Sequence, residues 1–186
     1  MSDVAAQPFT GTYHAQPAAS TFAFAVRHSA AFWYRGVLPE VEATLRAGDE
    51  GLVLEGSARV ESISVREPAE MRAHLLGPEF FDAERHPSVS FRSTDLRLLD
   101  DERLEVDGEL TIKGITRPVT ATGRYTATRP VSFGEIAAIE LHTTIDRREF
   151  DFDWQSEIPG GGLAVGWQVD LDIDLMFTRG DASADA

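Results

Sequence analysis

Cysteine is absent from the 186 residues of the chain. Disulfides, thiolate metal sites and a cysteine nucleophile are therefore excluded. Long apolar runs are also absent, since no stretch approaches the ~18 apolar residues that a membrane-spanning helix needs. The first residues show neither the basic start nor the apolar run of a secretory signal. These absences predict a cytoplasmic protein that does not span a membrane.

Basic residues are scarce, because 17 Lys and Arg stand against 31 Asp and Glu, for a formal net charge of -14. A nucleic-acid-binding surface needs basic residues to displace counterions from phosphates, so no nucleic acid is expected as a partner. The same excess argues against non-specific docking on anionic lipid head groups. Lys113 is the only lysine, and we interpret this preference for arginine as typical of a GC-rich bacterial genome.

What the chain does contain is a repeated alternation of apolar and polar residues. This alternation is typical of antiparallel strands with one dry face and one wet face. It is clearest near the C-terminus, where Asp170, Asp172 and Asp174 alternate with an apolar row. That row consists of Leu163, Val165, Trp167, Val169, Leu171, Ile173, Leu175 and Phe177. So long a strand is expected to curve, with Gly166 as a possible kink.

A curved sheet that closes on itself loses its exposed edges, which favours a barrel over a sandwich. The fold class predicted is all-β with short helices, in the form of an eight-stranded antiparallel lipocalin-like barrel. The barrel domain is predicted to span residues 10–179. Residues 1–9 and 180–186 are small, polar and without pattern, so flexible termini are expected there.

One helix is predicted between the strands. Pro68 suits its first turn and Glu70 the positive end of its dipole. Met71, His74 and Leu75 then share one face, and Gly77-Pro78 ends the helix. A turn carrying Phe80 and Phe81 follows. We expect the helix to lie across an open end of the barrel or along its side.

Catalytic and metal motifs are weak. No histidine lies in a short metal-ligand spacing, and His142 is expected to point outward. One hypothesis is a metal site at one barrel end, formed by His28, His74 and His86. Structural roles for these histidines are favoured over that hypothesis. No metal, cofactor or catalytic residue is therefore predicted. Arg147-Arg148 either holds an anionic head group or forms a surface ion pair, and the ion pair is favoured.

The apolar face allows two interpretations, a packed core or a lined cavity. An eight-stranded barrel is wide enough to hold one small ligand, which the supply of 11 phenylalanines would make an apolar one. The run Phe32-Trp33-Tyr34 fits either core packing or a lip over such a cavity.

Five segments of the sequence resemble the YceI-like family of lipid-binding barrels. They lie at 24–28, 78–87, 90–94, 108–119 and 143–150. The last three segments read Ser90-Phe-Arg-Ser-Thr, Gly108-Glu-Leu-Thr-Ile-Lys-Gly-Ile-Thr-Arg-Pro-Val and Thr143-Thr-Ile-Asp-Arg-Arg-Glu-Phe. The resemblance covers the chain from about Gly11 to Thr178. It implies an eight-stranded barrel around an apolar channel, polyisoprenoid ligands, no established catalytic residue, and a possible homodimer.

The leading hypothesis is a non-enzymatic carrier of a long isoprenoid-type lipid. His28 and Arg35 are the candidates for its polar head, and Phe80 and Phe81 are expected to close one side of the channel. The remaining predicted ligand-binding residues are Phe22, Phe24, Val26, Phe32, Phe91, Leu110, Ile145 and Trp167. One alternative is a small hydrolase or isomerase that uses cavity histidines, which requires His28 to reach a carboxylate or hydroxyl inside the barrel. The other is a solid-core stress or interaction protein, which predicts no continuous cavity.

Overall fold

Strands make up most of the computed structural model, which describes residues 8–49, 51–65 and 68–180. Within these ranges the strands are β1 (Gly11–Ala15), β2 (Thr21–His28), β3 (Phe32–Leu38), β4 (Val41–Gly48), β5 (Gly51–Arg59), β6 (Ser88–Leu98), β7 (Arg103–Ile112), β8 (Ile115–Val131), β9 (Gly134–Asp146) and β10 (Val165–Arg179). Helix α1 spans Ala69–Leu76. Short 3-10 helices lie at Pro17–Ala19, Val60–Ser62 and Arg147–Phe150.

All neighbouring strands pair antiparallel, and the sheet closes because β1 pairs with both β4 and β10. The 3-10 helix at Pro17–Ala19 separates β1 from β2, and Pro39 lies between β3 and β4. β1 and β2 together therefore form one strand of the barrel wall, and so do β3 and β4. The ten segments thus form an eight-stranded closed barrel, which confirms the predicted fold class.

The predicted alternation in β10 holds from Val169 onward, where Leu171, Leu175 and Phe177 are buried. Before that point the strand is irregular, since its register with β2 shifts between Val165 and Val169. Gly166 lies inside this irregularity, as the expected kink requires. Leu163, predicted as the first residue of the strand, is exposed and precedes it.

The hydrophobic core lies in the interior of the barrel. Its largest fully buried side chains include Tyr13, Phe150, Phe177 and Leu45. Phe9, which the sequence assigns to the loose N-terminal segment, is buried and packs edge-on against Tyr13 at 5.9 Å. The packed part of the chain therefore includes Phe9. Pro8 and Gly180, also predicted to be flexible, form backbone hydrogen bonds with Thr128 and Thr12, and the remaining predicted flexible residues, 1–7 and 181–186, lie outside the described ranges.

Helix α1 begins after Pro68 and ends before Gly77, as predicted. It lies in the long connection between β5 and β6, at one end of the barrel. The β2–β3 turn, the β7–β8 turn and the loop 151–164 lie at the same end. We call this the cavity end. The β4–β5, β6–β7 and β8–β9 turns form the opposite end. Within the described residues, no helix is long and apolar enough to cross a membrane.

Candidate ligand-binding cavity

A partly open apolar cavity of about 140 Å³ lies inside the cavity end. Strands β2, β9 and β10 contribute inward side chains because their alternation turns one row to the interior. Helix α1 supplies Met71, His74 and Leu75, the three residues that the sequence places on one face. The predicted helix face is therefore the face that lines the cavity.

An aromatic cluster closes this end of the barrel. It consists of Phe80 and Phe81 from the turn after α1 with Phe152 and Trp154 from loop 151–164. The ring centroids of Phe81 and Phe152 are 5.3 Å apart, and those of Phe80 and Trp154 are 5.6 Å apart. Both separations are in the range of favourable aromatic contacts. All four rings line the cavity, so the cluster forms its cap.

A second, smaller apolar cavity of about 70 Å³ lies deeper in the barrel. Phe22, Val89 and Leu171 line both cavities and therefore stand between them. The barrel interior is thus not solid, and its empty space falls into two cavities that share these three lining residues. A dry apolar cavity of about 150 Å³ holds a molecule the size of benzene, so the first cavity accommodates a short apolar segment as it stands.

Most of the predicted ligand-binding residues line these cavities. The first cavity is lined by Phe22, Phe24, Val26, His28, Phe80, Phe81 and Ile145. The second is lined by Phe22, Phe91 and Leu110. Their place in ligand binding stays a prediction, but the structure brings them to a shared interior space.

Three predicted residues lie elsewhere. Trp167 falls within the irregular stretch of β10, and its ring stacks on the Arg147 guanidinium at 4.5 Å, so it does not line the channel as expected. Phe32 is 53% exposed and stacks on His28 outside the cavity. Arg35 lies on the outer face of β3, 6.0 Å from the Trp33 ring, and is not placed to bind a head group inside the barrel.

The two adjacent arginines have different environments. Arg148 forms the favoured surface ion pair, with its Nε donating to Asp146 at 2.9 Å. Arg147 is buried and lines the cavity. Its guanidinium donates to four backbone carbonyls, those of Phe152, Trp154 (3.0 Å), Val165 (3.1 Å) and Gly166 (2.8 Å).

Burial lowers the pKa of Arg147, and the nearby carboxylates of Asp153 and Asp146 oppose that change. An arginine remains charged in proteins, so the buried cation needs the carbonyl oxygens as acceptors. Its hydrogen bonds fix loop 151–164 and the start of β10. Arg147 therefore holds the cap in place, because its guanidinium hydrogen bonds go to backbone carbonyls.

The histidines do not form a metal site in the described ranges, where no group of three or more metal-ligating side chains is found. His28 and His74 both line the first cavity. His28 Nδ1 lies 3.1 Å from the hydroxyl of Ser29 at the exposed hairpin turn, and His74 Nε2 lies 2.9 Å from Glu79. His142 is exposed beside Asp172, at 2.8 Å, as predicted for an outward residue.

Tyr34, the third residue of the aromatic run, is not among the predicted ligand-binding residues. It lines the first cavity, and its hydroxyl is buried without a hydrogen-bond partner among the described residues. Burial raises the pKa of Tyr34, so the hydroxyl stays protonated. A buried hydroxyl without a partner costs free energy in the unliganded protein.

Substituting Tyr34 with phenylalanine is therefore expected to raise the free energy of unfolding by about 1 kcal/mol. Tyr13→Phe is the matched control, because the buried Tyr13 hydroxyl lies 2.7 Å from Thr128 Oγ1 and accepts from the Thr10 amide at 3.1 Å. Its loss is expected to destabilise by about 1 kcal/mol. Urea unfolding of both variants measures the difference. Equal destabilisation by both would show that Tyr34 has a partner.

A YceI-like domain model matches residues 13–177 of the chain. The chain belongs to the YceI-like family. A UPF0312 protein of Pseudomonas putida is 31% identical over 108 residues, which cover 58% of this chain and 53% of the relative. Protein YceI of Escherichia coli O157:H7 is 26% identical over 99 residues, covering 52% of this chain and 51% of the relative. The chain thus matches about half the length of these curated relatives.

Solved structures agree with the YceI-like fold. BcnA of Burkholderia cenocepacia superposes with a TM-score of 0.70 at 18% identity, covering 87% of this chain and 98% of that one. A polyisoprenoid binding domain from Saccharophagus degradans, implicated in plant cell wall breakdown, gives a TM-score of 0.68 at 10% identity, with 90% and 98% covered. At these identities the likeness establishes the fold alone.

Proposed function

We propose that this YceI-like protein is a non-enzymatic binding protein for an isoprenoid-type lipid. The observation that carries the proposal is the apolar cavity beneath the aromatic cap, open in part to solvent at the cavity end. Aliphatic and aromatic side chains suit branched hydrocarbon, since burial of each CH₂ contributes about 0.8 kcal/mol. The family, and the polyisoprenoid binding named for the Saccharophagus domain, support the same ligand class here.

The size of the cavity determines how much of the lipid is held. About 140 Å³ accommodates about one isoprene unit, by comparison with a benzene-sized site of about 150 Å³. A longer tail enters the second cavity when the Phe22 side chain moves, because Phe22 lines both. Phe22 is only half-buried, so it has room to change rotamer. We therefore infer that the Phe22 side chain limits the length of the lipid tail that can bind.

The polar groups of the interior favour binding over catalysis. In the described chain no carboxylate lines either cavity, and the His28 partner is the exposed Ser29. Arg147 is committed to backbone carbonyls. A general base must reach a substrate proton, and the histidine–carboxylate pair nearest the cavity, His74 Nε2 with Glu79 at 2.9 Å, has its carboxylate on an exposed residue outside the cavity lining.

Extraction of protein purified without detergent, followed by mass spectrometry, tests the proposal directly. Recovery of a prenyl lipid is expected at a substantial fraction of one per chain. Added farnesol is then expected to change the fluorescence of Trp154, which lines the cavity. Failure to recover any lipid, combined with no binding of farnesol or geranylgeraniol, would contradict the proposed function.

Two cavity variants are expected to change affinity in opposite directions. Val169→Phe fills the first cavity and is expected to weaken farnesol binding by at least about ten-fold, since it displaces about two or more buried CH₂ groups. Phe22→Ala joins the two cavities and is expected to favour geranylgeraniol over farnesol more strongly than the unsubstituted protein does. Val53→Phe on β5, outside both cavities, is the control. Titration calorimetry measures all three, and equal effects of the two phenylalanine substitutions would contradict the assigned cavity.

A further inference from the structure

The exposed large apolar side chains are unevenly distributed. Among the described residues they are Phe32, Trp33, Met71, Leu99, Phe133 and Leu163. Leu99 and Phe133 lie singly in two turns of the opposite end. The remaining four lie at the cavity end, so the apolar surface is concentrated where the cavity opens.

Phe32, Met71 and Leu163 border the cavity mouth, and Trp33 lies on the outer face of the same hairpin, opposite Arg27 in the strand register. Phe32 stacks on His28 with ring centroids 5.0 Å apart, and His28 lines the cavity. The Ser29 amide donates to the Ala164 carbonyl at 2.8 Å, which places Leu163 beside the same hairpin turn. Met71 is 37% exposed and also lines the cavity. We call Phe32, Trp33, Met71 and Leu163 the mouth patch.

Two arginines flank the patch on the outer face of the hairpin. The Arg27 guanidinium lies 4.6 Å from the Trp33 ring and that of Arg35 lies 6.0 Å from it. In the described ranges neither arginine has a carboxylate within ion-pair distance, although the whole chain carries a net charge of -14. Phosphate groups would therefore meet unpaired cations here, next to an indole and apolar side chains. This combination is typical of residues at a membrane–water interface.

We propose that the mouth patch docks on the surface of a lipid bilayer, with the cavity mouth facing the acyl region. Phe32, Trp33 and Leu163 lie at the boundary between head groups and acyl chains, and Arg27 and Arg35 contact lipid phosphates. The proposal goes beyond ligand binding, because it concerns contact between the outer surface and the bilayer. It gives the bound lipid a path that avoids water.

Flotation of the full chain with phosphatidylcholine vesicles tests the docking. The double substitution Phe32→Ser and Trp33→Ser is expected to lower partitioning by at least about ten-fold. Phe133→Ser is the matched control, since Phe133 is 71% exposed but lies at the opposite end, and it is expected to change little. Unchanged thermal unfolding of the variants confirms that only the surface has been altered.

The charge of the protein gives a second readout. The net charge of -14 repels anionic vesicles while the patch attracts the interface, so partitioning onto vesicles with about 30% phosphatidylglycerol is expected to rise with salt. No partitioning onto any vesicle, or equal losses for the patch and control variants, would overturn the proposal. So would a dimer in sedimentation that the patch variant converts to monomer, because the patch would then bind a second copy of the chain. Lipid extraction from the interior is independent of these outcomes.

Discussion

Substitution of Arg147 with methionine is expected to lower the free energy of unfolding by about 3–5 kcal/mol, although the new side chain is apolar and fits a buried site. The reason is that four backbone carbonyls each lose the hydrogen bond from Arg147, among them that of the buried Phe152, while the Val165 carbonyl keeps its bond from Gln155 Nε2. Loop 151–164 then keeps its aromatic contacts, the Gln155 hydrogen bonds to Val165 and the bonds at its two ends, from Lys113 Nζ to the Asp151 carbonyl and from the Ser29 amide to the Ala164 carbonyl, but it loses its side-chain donors at Phe152 and Trp154. The cap that closes the cavity is expected to become mobile.

The adjacent Arg148→Met substitution is the control for that result. Arg148 is half-exposed, and an ion pair of this kind is screened by solvent and contributes little to stability. Its hydrogen bonds to Asp146 lower the pKa of that carboxyl, so the contribution to stability is present at neutral pH and is lost as the pH falls through the lowered pKa. The variant is therefore expected to differ from the unsubstituted protein mainly above the ordinary carboxyl pKa. Urea unfolding at pH 7 and hydrogen exchange of residues 151–164 separate the two arginines, and similar losses for both would contradict the bracing role.

The different environments of these arginines show where sequence patterns stop being informative. Alternation in β7, β9 and most of β10 predicts the strands because a half-buried sheet requires one apolar face. It also identifies the inward rows of Phe22, Phe24 and Val26. Arg147 and Arg148 are chemically identical neighbours, however, and the carbonyl acceptors that allow an arginine to be buried at 147 come from loop 151–164 and the start of β10. That loop has no periodicity from which its path follows.

Errors in the predicted site have the same origin. Trp167 continues the apolar alternation of the last strand, but the register shift between Val165 and Val169 places its ring on Arg147. Trp154 lies in a loop without pattern, and Tyr34 in a run that fits both a core and a lip, so neither enters the predicted set. Gly166 was a partial signal, because a glycine within a strand marks a kink or bulge. Irregular backbone in this barrel thus coincides with the residues that shape the cavity end.

Gly123 occupies a position in β8 that alternation cannot distinguish from its neighbours. It faces Leu141 of β9 in the strand register. A Cβ atom at this position would overlap the carbonyl oxygen of Glu140, and would lie 2.8 Å from the Glu140 carbonyl carbon and 3.1 Å from the Leu141 Cα. These are backbone atoms of the paired strand, so no rotamer change relieves the overlap. The β8 and β9 backbones approach so closely because the side chain is absent.

Gly123→Ala is therefore expected to destabilise the protein by about 3 kcal/mol or more, at the upper end of the cost of overpacking. The β8–β9 pairing must open locally, and both strands belong to the closed wall of the barrel. Gly48→Ala in β4 is the matched control, because its added Cβ meets none of the described residues within 4 Å, and a change within about 0.5 kcal/mol is expected. Urea unfolding measures both variants, with sucrose added as a stabilising co-solvent where Gly123→Ala unfolds without denaturant. An alanine variant at Gly123 as stable as the one at Gly48 would show that the two strands can separate without cost, and that closure of the barrel does not depend on this contact.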